Sequence, residues 1–228
     1  MASLARNFNL SFCYHIYNCG VGKTKTYISS NDYERFLETV VYYLRKQKMP
    51  FSQFTDLKNE DEENYLEKNP ITSDNRRLHI LAYCLMPNHF HFLISPESPG
   101  GISSFMADVC NSYTKYFNIK NRRIGSLFQG TFKSKLIGDA ESFLQVSRYI
   151  HLNPILSKKL NWESPLESYP YSSYFNWITN QDNKIVSLEV VRKFIEYNPS
   201  SYRSFVMSKL DQEPCLGIEK LVLETNTD

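Results

Sequence analysis

The sequence predicts an α+β protein with a central antiparallel sheet, flanking helices and a C-terminal helical extension. Aromatic and apolar residues fill a strand-like run at 8–17, and a tight connection joins two further runs at 76–85 and 89–96. Apolar residues recur at helical spacing at 102–119 and again after Asp139. The order strand, helix, hairpin, helix, strand, helix favours an antiparallel sheet with helices packed on one face.

The first half of the chain contains one predicted helix and one predicted loop. Ser30, Asn31 and Asp32 form an N-cap cluster, and the apolar stripe that follows predicts a helix to about Lys48. Residues 51–75 are polar and acidic and carry turn signals, so they are interpreted as an insertion or loop.

The chain continues with a predicted hairpin and, further on, a third predicted helix. The connection at 86–88 is short, so the runs on either side of it should pair as antiparallel strands. Residues 125–137 look like a loop that leads into a strand. Asp139 then caps a helix that Asn153 and Pro154 are expected to stop.

Length and pattern divide the chain into a main domain and an extension. A chain of 228 residues is long enough for one large domain with an appendage. The main domain is assigned to 1–175, including the acidic insertion, and the extension to 176–228. Short helices are expected at 188–197 and 202–210, and the sequence assigns no role to the extension.

Charge is nearly balanced over the whole chain but unevenly distributed. The formal net charge is +2, and acidic residues gather at 56–63. By contrast, the only charged residues between positions 115 and 135 are basic: Lys115, Lys120, Arg122, Arg123, Lys133 and Lys135. Taken alone, such a stretch is more often a solvated face than a nucleic-acid surface.

Cysteine usage and hydropathy indicate the compartment. The five cysteines are odd in number and form no Cys-x-x-Cys pair, which argues against a disulfide framework or a zinc knuckle. The N-terminal residues lack the apolar core of a signal peptide, and no run approaches the roughly 18 apolar residues of a membrane span. We therefore expect a soluble, cytoplasmic protein with no membrane partner.

Two histidines on the predicted strand 89–96 form the first half of a candidate site. Alternate residues on a strand share a face, so His89 and His91 should point the same way, about 7 Å apart. That arrangement suits two nitrogens that bind one ion. A pair of hydrogen-bonded histidines on a half-buried strand would give the same pattern, so other residues must complete the site.

Tyr149 and Asn153 supply the second half of the candidate site. They are four residues apart on a predicted helix, and so lie on one face about one turn from each other. With His89 and His91 they suit a divalent ion that holds a phosphate oxygen, and Mg²⁺ or Mn²⁺ is predicted. A free phenol has a pKa of about 10, so a tyrosine nucleophile would need the metal or nearby cations.

Four motifs in this order resemble the single-tyrosine HUH transposases, also called IS200-like transposases, in their REP-associated tyrosine transposase branch. The motifs are Met-Pro-Asn-His-Phe-His-Phe-Leu-Ile at 86–94, Tyr-Thr-Lys-Tyr-Phe-Asn at 113–118 with Gly-Ser-Leu-Phe-Gln at 125–129, Tyr-Ile-His-Leu-Asn-Pro at 149–154 and Pro-Tyr-Ser-Ser-Tyr at 170–174. The resemblance covers residues 10–175 and implies a ferredoxin-like or RRM-like HUH palm.

The resemblance also implies an activity and assigns roles to residues. It implies a DNA strand transferase that cuts single-stranded DNA, usually at a hairpin, and rejoins it through a 5′-phosphotyrosine. In this chain Tyr149 matches the nucleophile, and His89, His91 and Asn153 match the metal ligands. The expected DNA-binding residues are Lys115, Arg122, Arg123, Lys133, Lys135 and Arg148.

Some positions depart from the family or stay open. Cys19 and Thr131 stand where the family suggests arginines that could touch DNA. His151 is interpreted as a packing or surface residue, and the sequence gives no partner for His15 or His79. Oligomeric state is left at monomer or homodimer, so Tyr149 could act on the histidines of its own chain or of a second one.

Two other functions are compatible with parts of the pattern. A catalytically idle nucleic-acid-binding domain on the same scaffold would use the basic and aromatic residues equally well. A nucleotide hydrolase of the histidine-triad kind also has alternating histidines on a strand, but Leu93 occupies the place of its third histidine.

Overall fold

A four-stranded antiparallel sheet lies at the centre of the computed structural model, which describes residues 6–161 and 163–208. The strand order is β2-β3-β1-β4. The expected hairpin is confirmed, since Met86 pairs with His89 at its closed end. The strands are β1 (Cys13–Cys19), β2 (Leu78–Met86), β3 (His89–Pro96) and β4 (Lys133–Ile137).

Helices lie between the strands and after them, which confirms the α+β class. A single 3₁₀ turn follows β1 at Val21–Lys23, and another lies at Leu166–Ser168. The α-helices are α1 (Ser30–Tyr43), α2 (Phe51–Phe54), α3 (Asn59–Lys68), α4 (Gly101–Lys120), α5 (Ala140–Leu156), α6 (Tyr174–Thr179), α7 (Leu188–Val191) and α8 (Pro199–Met207).

The helices cover both faces of the sheet, so the expectation that they pack on one face is wrong. Phe36 of α1 packs on Phe90, with ring centroids 5.5 Å apart. On the opposite face Tyr149 of α5 packs on His91, with centroids 5.4 Å apart. The physical reason is the composition of β3, where every residue except His89 is buried. A strand that is apolar on both sides needs cover on both sides.

A buried carboxylate joins the start of α1 to the end of α4. Asp32 accepts hydrogen bonds from the backbone N–H groups of Ile28 and Ser29, and its other oxygen lies 2.6 Å from Lys120 Nζ. Burial alone would raise the pKa of Asp32, but the hydrogen bonds and the ammonium group hold it below its ordinary value. The predicted helix start is confirmed to within one residue, but the N-cap is Ser29 and α1 ends at Tyr43 rather than near Lys48. Asp32 also fixes α4 beside α1.

The acidic segment 51–75 was expected to be a loop, and this prediction is wrong. It contains both α2 and α3, which are anchored by apolar residues spaced too widely to dominate the local pattern. Phe51 and Phe54 are buried, and both rings lie about 5 Å from the ring of Tyr42, with centroid distances of 5.0 and 4.9 Å. The composition of this segment is typical of a solvated loop, but its packing against α1 stabilises a helical conformation.

The third long helix begins where predicted but continues further than predicted. The Asp139 side chain accepts a 2.7 Å hydrogen bond from the backbone N–H of Ser142, as expected for a cap. Pro154 does not stop α5, which continues to Leu156. A proline inside a helix removes one backbone hydrogen bond. Burial of Pro154 and Ile155 accompanies the continued turn, and it keeps Asn153 within the helix.

The described part of the C-terminal extension packs on the same core as the main domain. Trp177 of α6 is fully buried, and its Nε1 donates to the carbonyl of Leu81 in β2 at 2.9 Å. The predicted helix at 202–210 is observed as α8, although residues 209–228, with Leu210 and Cys215, lie outside the described residues.

The described residues agree with the absence of disulfides that the sequence suggested. Cys13, Cys19, Cys84 and Cys110 are all free thiols. Within the same described ranges, no helix combines the length and the apolar character that crossing a bilayer would require.

Candidate metal and nucleophile site

Strand pairing places the site residues side by side on one face of the sheet. In the β1–β3 register, Tyr17 lies opposite His91 and Cys19 opposite His89. In an antiparallel ladder opposed residues point to the same face, so these side chains form one surface. Helix α5 lies on that face and brings Tyr149 onto it.

Tyr149 contacts the histidine cluster through its ring. The ring is 6% exposed, and it stands edge-on to His91 at 5.4 Å and to His15 at 6.2 Å between centroids. The predicted spacing of one helical turn is seen directly, because Asn153 Nδ2 donates to the Tyr149 carbonyl at 3.0 Å. The sequence-predicted residues Tyr149, Asn153, His89 and His91 therefore come together.

The hydrogen bonds around His89 determine which of its nitrogens carries a lone pair. Asn88 Nδ2 donates to the Lys23 carbonyl at 3.3 Å, so Asn88 Oδ1 is the oxygen that faces His89 Nδ1, at 2.7 Å. An amide oxygen only accepts, so the proton of the neutral ring lies on Nδ1 and Nε2 carries a lone pair. That Nε2 lies 3.4 Å from Asn153 Oδ1.

Asn153 Oδ1 is an acceptor as well, and its orientation is fixed independently. The amide nitrogen of Asn153 is held by the Tyr149 carbonyl, which turns the amide oxygen towards His89. In this tautomer two lone-pair atoms face each other across 3.4 Å. A cation that binds both atoms, or a proton on His89, turns this repulsion into attraction.

The donor set fits a divalent ion. Imidazole nitrogen suits transition ions such as Mn²⁺, and an amide oxygen suits Mg²⁺ or Mn²⁺. Among the residues that the structure describes, no group of three or more His, Cys, Asp or Glu side chains is arranged to hold a metal. The third protein ligand of such a site would therefore be the neutral oxygen of Asn153.

His15 is a site residue that the sequence did not identify. Its Nε2 lies 2.9 Å from His91 Nδ1, both rings are fully buried, and they stack at 5.1 Å between centroids. When His91 Nδ1 is the donor, His91 Nε2 carries the lone pair that a metal ligand needs. Tyr17 stacks on both rings, at 4.9 Å from His15 and 5.9 Å from His91. The alternation of His15 and Tyr17 along β1 was the available signal, but their partners depend on the strand register.

The predicted DNA-binding residues divide between two sides of the molecule. Lys133 and Lys135 on β4 lie opposite Tyr17 and His15, on the face that carries the histidines. Lys133 Nζ stands 5.8 Å from the centre of the Tyr17 ring. Three others, Lys115, Arg122 and Arg123, belong to α4 or the turn after it, on the opposite side of the sheet.

Arg148 does not lie where a DNA contact was expected. It is buried, its Nε donates to the Val206 carbonyl at 3.2 Å, and its guanidinium stands over the ring of Phe205. Burial lowers the pKa of the guanidinium. Arg148 therefore binds α8 rather than presenting its charge to the site.

His151 and His79 occupy structural positions away from the site. His151 is fully buried between Tyr202 and Ser173, as the packing interpretation expected. His79 lies 3.2 Å from Ser187 Oγ and 3.3 Å from Glu97, and burial is the main reason that its pKa is lowered.

The two positions where the family suggested arginines are bonded to other groups. Cys19 Sγ donates to Gln129 Oε1 at 3.3 Å. Thr131 Oγ1 accepts from the guanidinium of Arg6, which also donates to the Phe132 carbonyl at 2.5 Å. A guanidinium is thus present beside Thr131, although it comes from the N-terminal segment.

Comparison with known proteins finds one family model and solved structures that this chain resembles. Residues 52–153 match the family model described as "Transposase IS200 like", and the matched range contains His89, His91, Tyr149 and Asn153. No curated protein matches the chain. A solved structure titled "Structure of the REP associates tyrosine transposase bound to a REP hairpin" is similar, with a TM-score of 0.53 and 13% identity. The alignment covers 82% of this chain and 92% of that one, and at this identity it shows a shared fold.

Proposed function

We propose that this chain nicks and rejoins single-stranded DNA, with Tyr149 as the nucleophile. The proposal is supported by the match of residues 52–153 to the IS200-like transposases, a family of DNA-processing enzymes. The substrate we propose is a strand that folds into a hairpin, because the similar solved structure is titled as a complex with one. The proposed class is a single-tyrosine HUH endonuclease.

One observation carries the proposal. His89 Nε2 and Asn153 Oδ1 face each other at 3.4 Å with orientations fixed by Asn88 and by the helix that bears Tyr149. Because Asn153 lies one helical turn from Tyr149, this pair of atoms supports a cation site beside the phenol.

His89, His91 and Asn153 would hold Mg²⁺ or Mn²⁺. When bound, the ion would act as a Lewis acid on a phosphate oxygen of the DNA. The neutral protein ligands leave the charge of the ion uncompensated, which suits binding of an anionic phosphodiester.

Tyr149 would carry out the covalent step. Its Oη forms a bond to phosphorus while the bond between phosphorus and the 3′ oxygen breaks. The phenolic proton is released, and the departing 3′ oxygen gains a proton to become a free hydroxyl. The strand that follows stays attached as a 5′-phosphotyrosine, and attack by another 3′-hydroxyl reverses the step and rejoins DNA.

Lys133 and Lys135 would hold the strand on the site face. Both belong to the edge strand β4, opposite Tyr17 and His15, and Lys133 is exposed. Lysine binds phosphate as a point charge and carries no base information. We therefore expect these lysines to contribute affinity rather than sequence preference.

Trapping the covalent adduct tests the proposal. Labelled single-stranded hairpins are incubated with the protein and Mn²⁺ or Mg²⁺, and adducts are separated on denaturing gels and mapped by mass spectrometry. We expect an adduct on Tyr149 that requires the metal. Tyr149→Phe should remove the adduct and keep DNA binding.

The neighbouring phenol provides a matched control. Tyr17→Phe changes the other tyrosine that contacts His91 and should still form the adduct at Tyr149. DNA binding by the wild type with no adduct over a varied hairpin set would instead identify an idle binding domain.

A further inference from the structure

A separate cleft lies on the α1 and α4 side of the sheet, away from Tyr149. It has a volume of about 780 Å³ and is enclosed by α1, α2, the segment between them and α4. Such a volume is within the range of ligand clefts, roughly 300–1,000 Å³. The proposed nicking reaction does not use it.

The cleft contains more basic than acidic charge once its internal ion pairs are counted. Two charged lining residues are neutralised, since Lys120 pairs with Asp32 at 2.6 Å and Asp108 pairs with Arg77 at 2.6 Å. The remaining charged lining residues are Arg35, Lys48, Lys115 and Asp56. Within residues 6–161 and 163–208, no ion pair involves the first three.

Arg35 is held in a fixed orientation at the wall of the cleft. Its guanidinium lies over the Phe51 ring at 4.3 Å and over the Tyr116 ring at 5.3 Å. Its Nη2 also donates to Thr55 Oγ1 at 3.4 Å. A guanidinium stacked on aromatic rings keeps its edge donors available in one plane, which is the geometry that binds phosphate in a bidentate manner.

The insertion that had no assigned role builds part of this wall. Ser52, Gln53 and Thr55 line the cleft from α2 and the residue after it, facing Asn111 and Ser112 on α4. Amide and hydroxyl side chains of this kind are common contacts of sugar and phosphate oxygens. The acidic residues of the following helix, such as Glu60 and Asp61, do not line the cleft.

We propose that this cleft binds the sugar–phosphate backbone of the substrate DNA at a segment that Tyr149 does not cleave. The inference rests on the proposed function for the identity of the partner. Its cations come from separate parts of the chain, on α1, after α1 and on α4, which suits an extended polyanion better than one small anion. A hairpin stem outside the cleaved strand is the segment that such a surface would hold.

A charge-removal variant tests the cleft. Lys48 and Lys115 are both exposed, so Lys48→Gln combined with Lys115→Gln should leave the fold intact. Binding is measured by fluorescence anisotropy over a salt series, with a long-stemmed hairpin bearing a single-stranded tail and with the tail alone. For the tailed hairpin we expect roughly 10-fold weaker binding and a salt slope lower by about 2. The tail alone should bind as it does to the wild type.

A matched control distinguishes an effect of the cleft on binding from an effect of the overall charge. Lys58→Gln with Lys68→Gln removes the same charge at exposed positions flanking or ending α3 and outside the cleft, and should bind the tailed hairpin like the wild type. Equal loss in both double variants, or no loss in the cleft variant, overturns the proposal. Adduct formation on Tyr149 is measured separately. If the wild type binds hairpins without forming an adduct, the nicking activity is refuted, but the comparison of the two double variants still tests the cleft.

Discussion

Two histidine clusters lie on different faces of helix α5, one buried around His151 and one around the half-buried His89, and their hydrogen bonds differ in one respect. Ser147 and His151 face the C-terminal helices, whereas Tyr149 and Asn153 face the sheet. Each pair is spaced by one helical turn. We call the first the closed cluster, formed by Ser147, His151, Ser173 and Tyr202, and the second the open cluster, formed by Asn88, His89, Tyr149 and Asn153.

In the closed cluster one assignment of protons gives every hydroxyl and both ring nitrogens a hydrogen-bond partner. His151 Nδ1 donates to Tyr202 Oη at 2.7 Å, and Tyr202 Oη donates to Ser147 Oγ at 3.0 Å. His151 Nε2 accepts from Ser173 Oγ at 2.8 Å, which in turn accepts from the backbone N–H of Tyr83. Such a network stabilises the fold and needs no ligand.

In the open cluster the same reasoning ends in two acceptors that face each other. His89 Nδ1 donates to Asn88, and Asn153 Nδ2 donates to the Tyr149 carbonyl. The atoms that face each other across the 3.4 Å gap, His89 Nε2 and Asn153 Oδ1, then both carry lone pairs. Burial of a histidine therefore says little about its role. The direction of its hydrogen bonds separates a structural histidine from a candidate ligand.

The largest difference between the clusters should appear when one histidine of each is removed and activity is measured. His89→Ala should reduce metal-dependent adduct formation by roughly 10³-fold, or about 4 kcal/mol. The free energy of unfolding should fall by about 1 kcal/mol or less, because His89 is partly exposed and the substitution removes its hydrogen bond to Asn88. Adduct yield and urea unfolding of the same preparations provide the two measurements. An active variant would exclude His89 as a ligand.

The reverse result is expected for the closed cluster. His151→Ala creates a cavity and leaves the hydroxyls of Tyr202 and Ser173 without their partner, so it should lower the free energy of unfolding by about 3 kcal/mol. His79→Ala, at a partly exposed histidine, is the control and should cost about 1 kcal/mol or less. Equal losses in the two variants would contradict a structural role for the closed cluster.

The sequence predicts the open cluster better than the closed one, and the reason is physical. His89, His91, Tyr149 and Asn153 follow from local periodicity, because strands and helices fix which near neighbours share a face. The link from His91 to His15 depends on the register between β1 and β3, which a single strand does not reveal.

Contacts between distant segments also explain the local errors. Residues 51–68 read as a solvated loop because their acidic side chains outnumber the anchors Phe51 and Phe54, which are buried only through contact with α1. Pro154 was expected to end the helix because the local rule for proline does not take the burial of Ile155 into account. Tyr202 reaches His151 from 51 positions away, so no short pattern contains the pair.

Metal should stabilise the open cluster and leave the closed one unaffected. With free Mn²⁺ about 100-fold above its dissociation constant, a single site adds about 2.7 kcal/mol to the free energy of unfolding. Asn153→Ala should weaken the affinity roughly 10-fold, so at the same Mn²⁺ concentration the gain falls to about 1.4 kcal/mol. Tyr202→Phe, in the closed cluster, should keep the full gain. Unfolding curves with Mn²⁺ and with a chelator measure this difference, and an identical gain in Asn153→Ala would remove Asn153 from the ligand set.

Acid should destabilise the closed cluster through His151. Burial lowers the pKa of His151 to about 3, whereas an unfolded histidine titrates at about 6.5. Between these values the unfolded chain binds the extra proton, so stability is complete above the unfolded pKa and is lost as the pH falls. From pH 7 to pH 5 the wild type should lose about 2 kcal/mol more than His151→Gln, which retains a donor and an acceptor but no titrating group. Urea unfolding in chelator at both pH values compares the two proteins. All other titrating side chains are the same in the two proteins. Equal losses of stability would therefore show that His151 is also protonated in the folded chain, and that the closed cluster accommodates the charge.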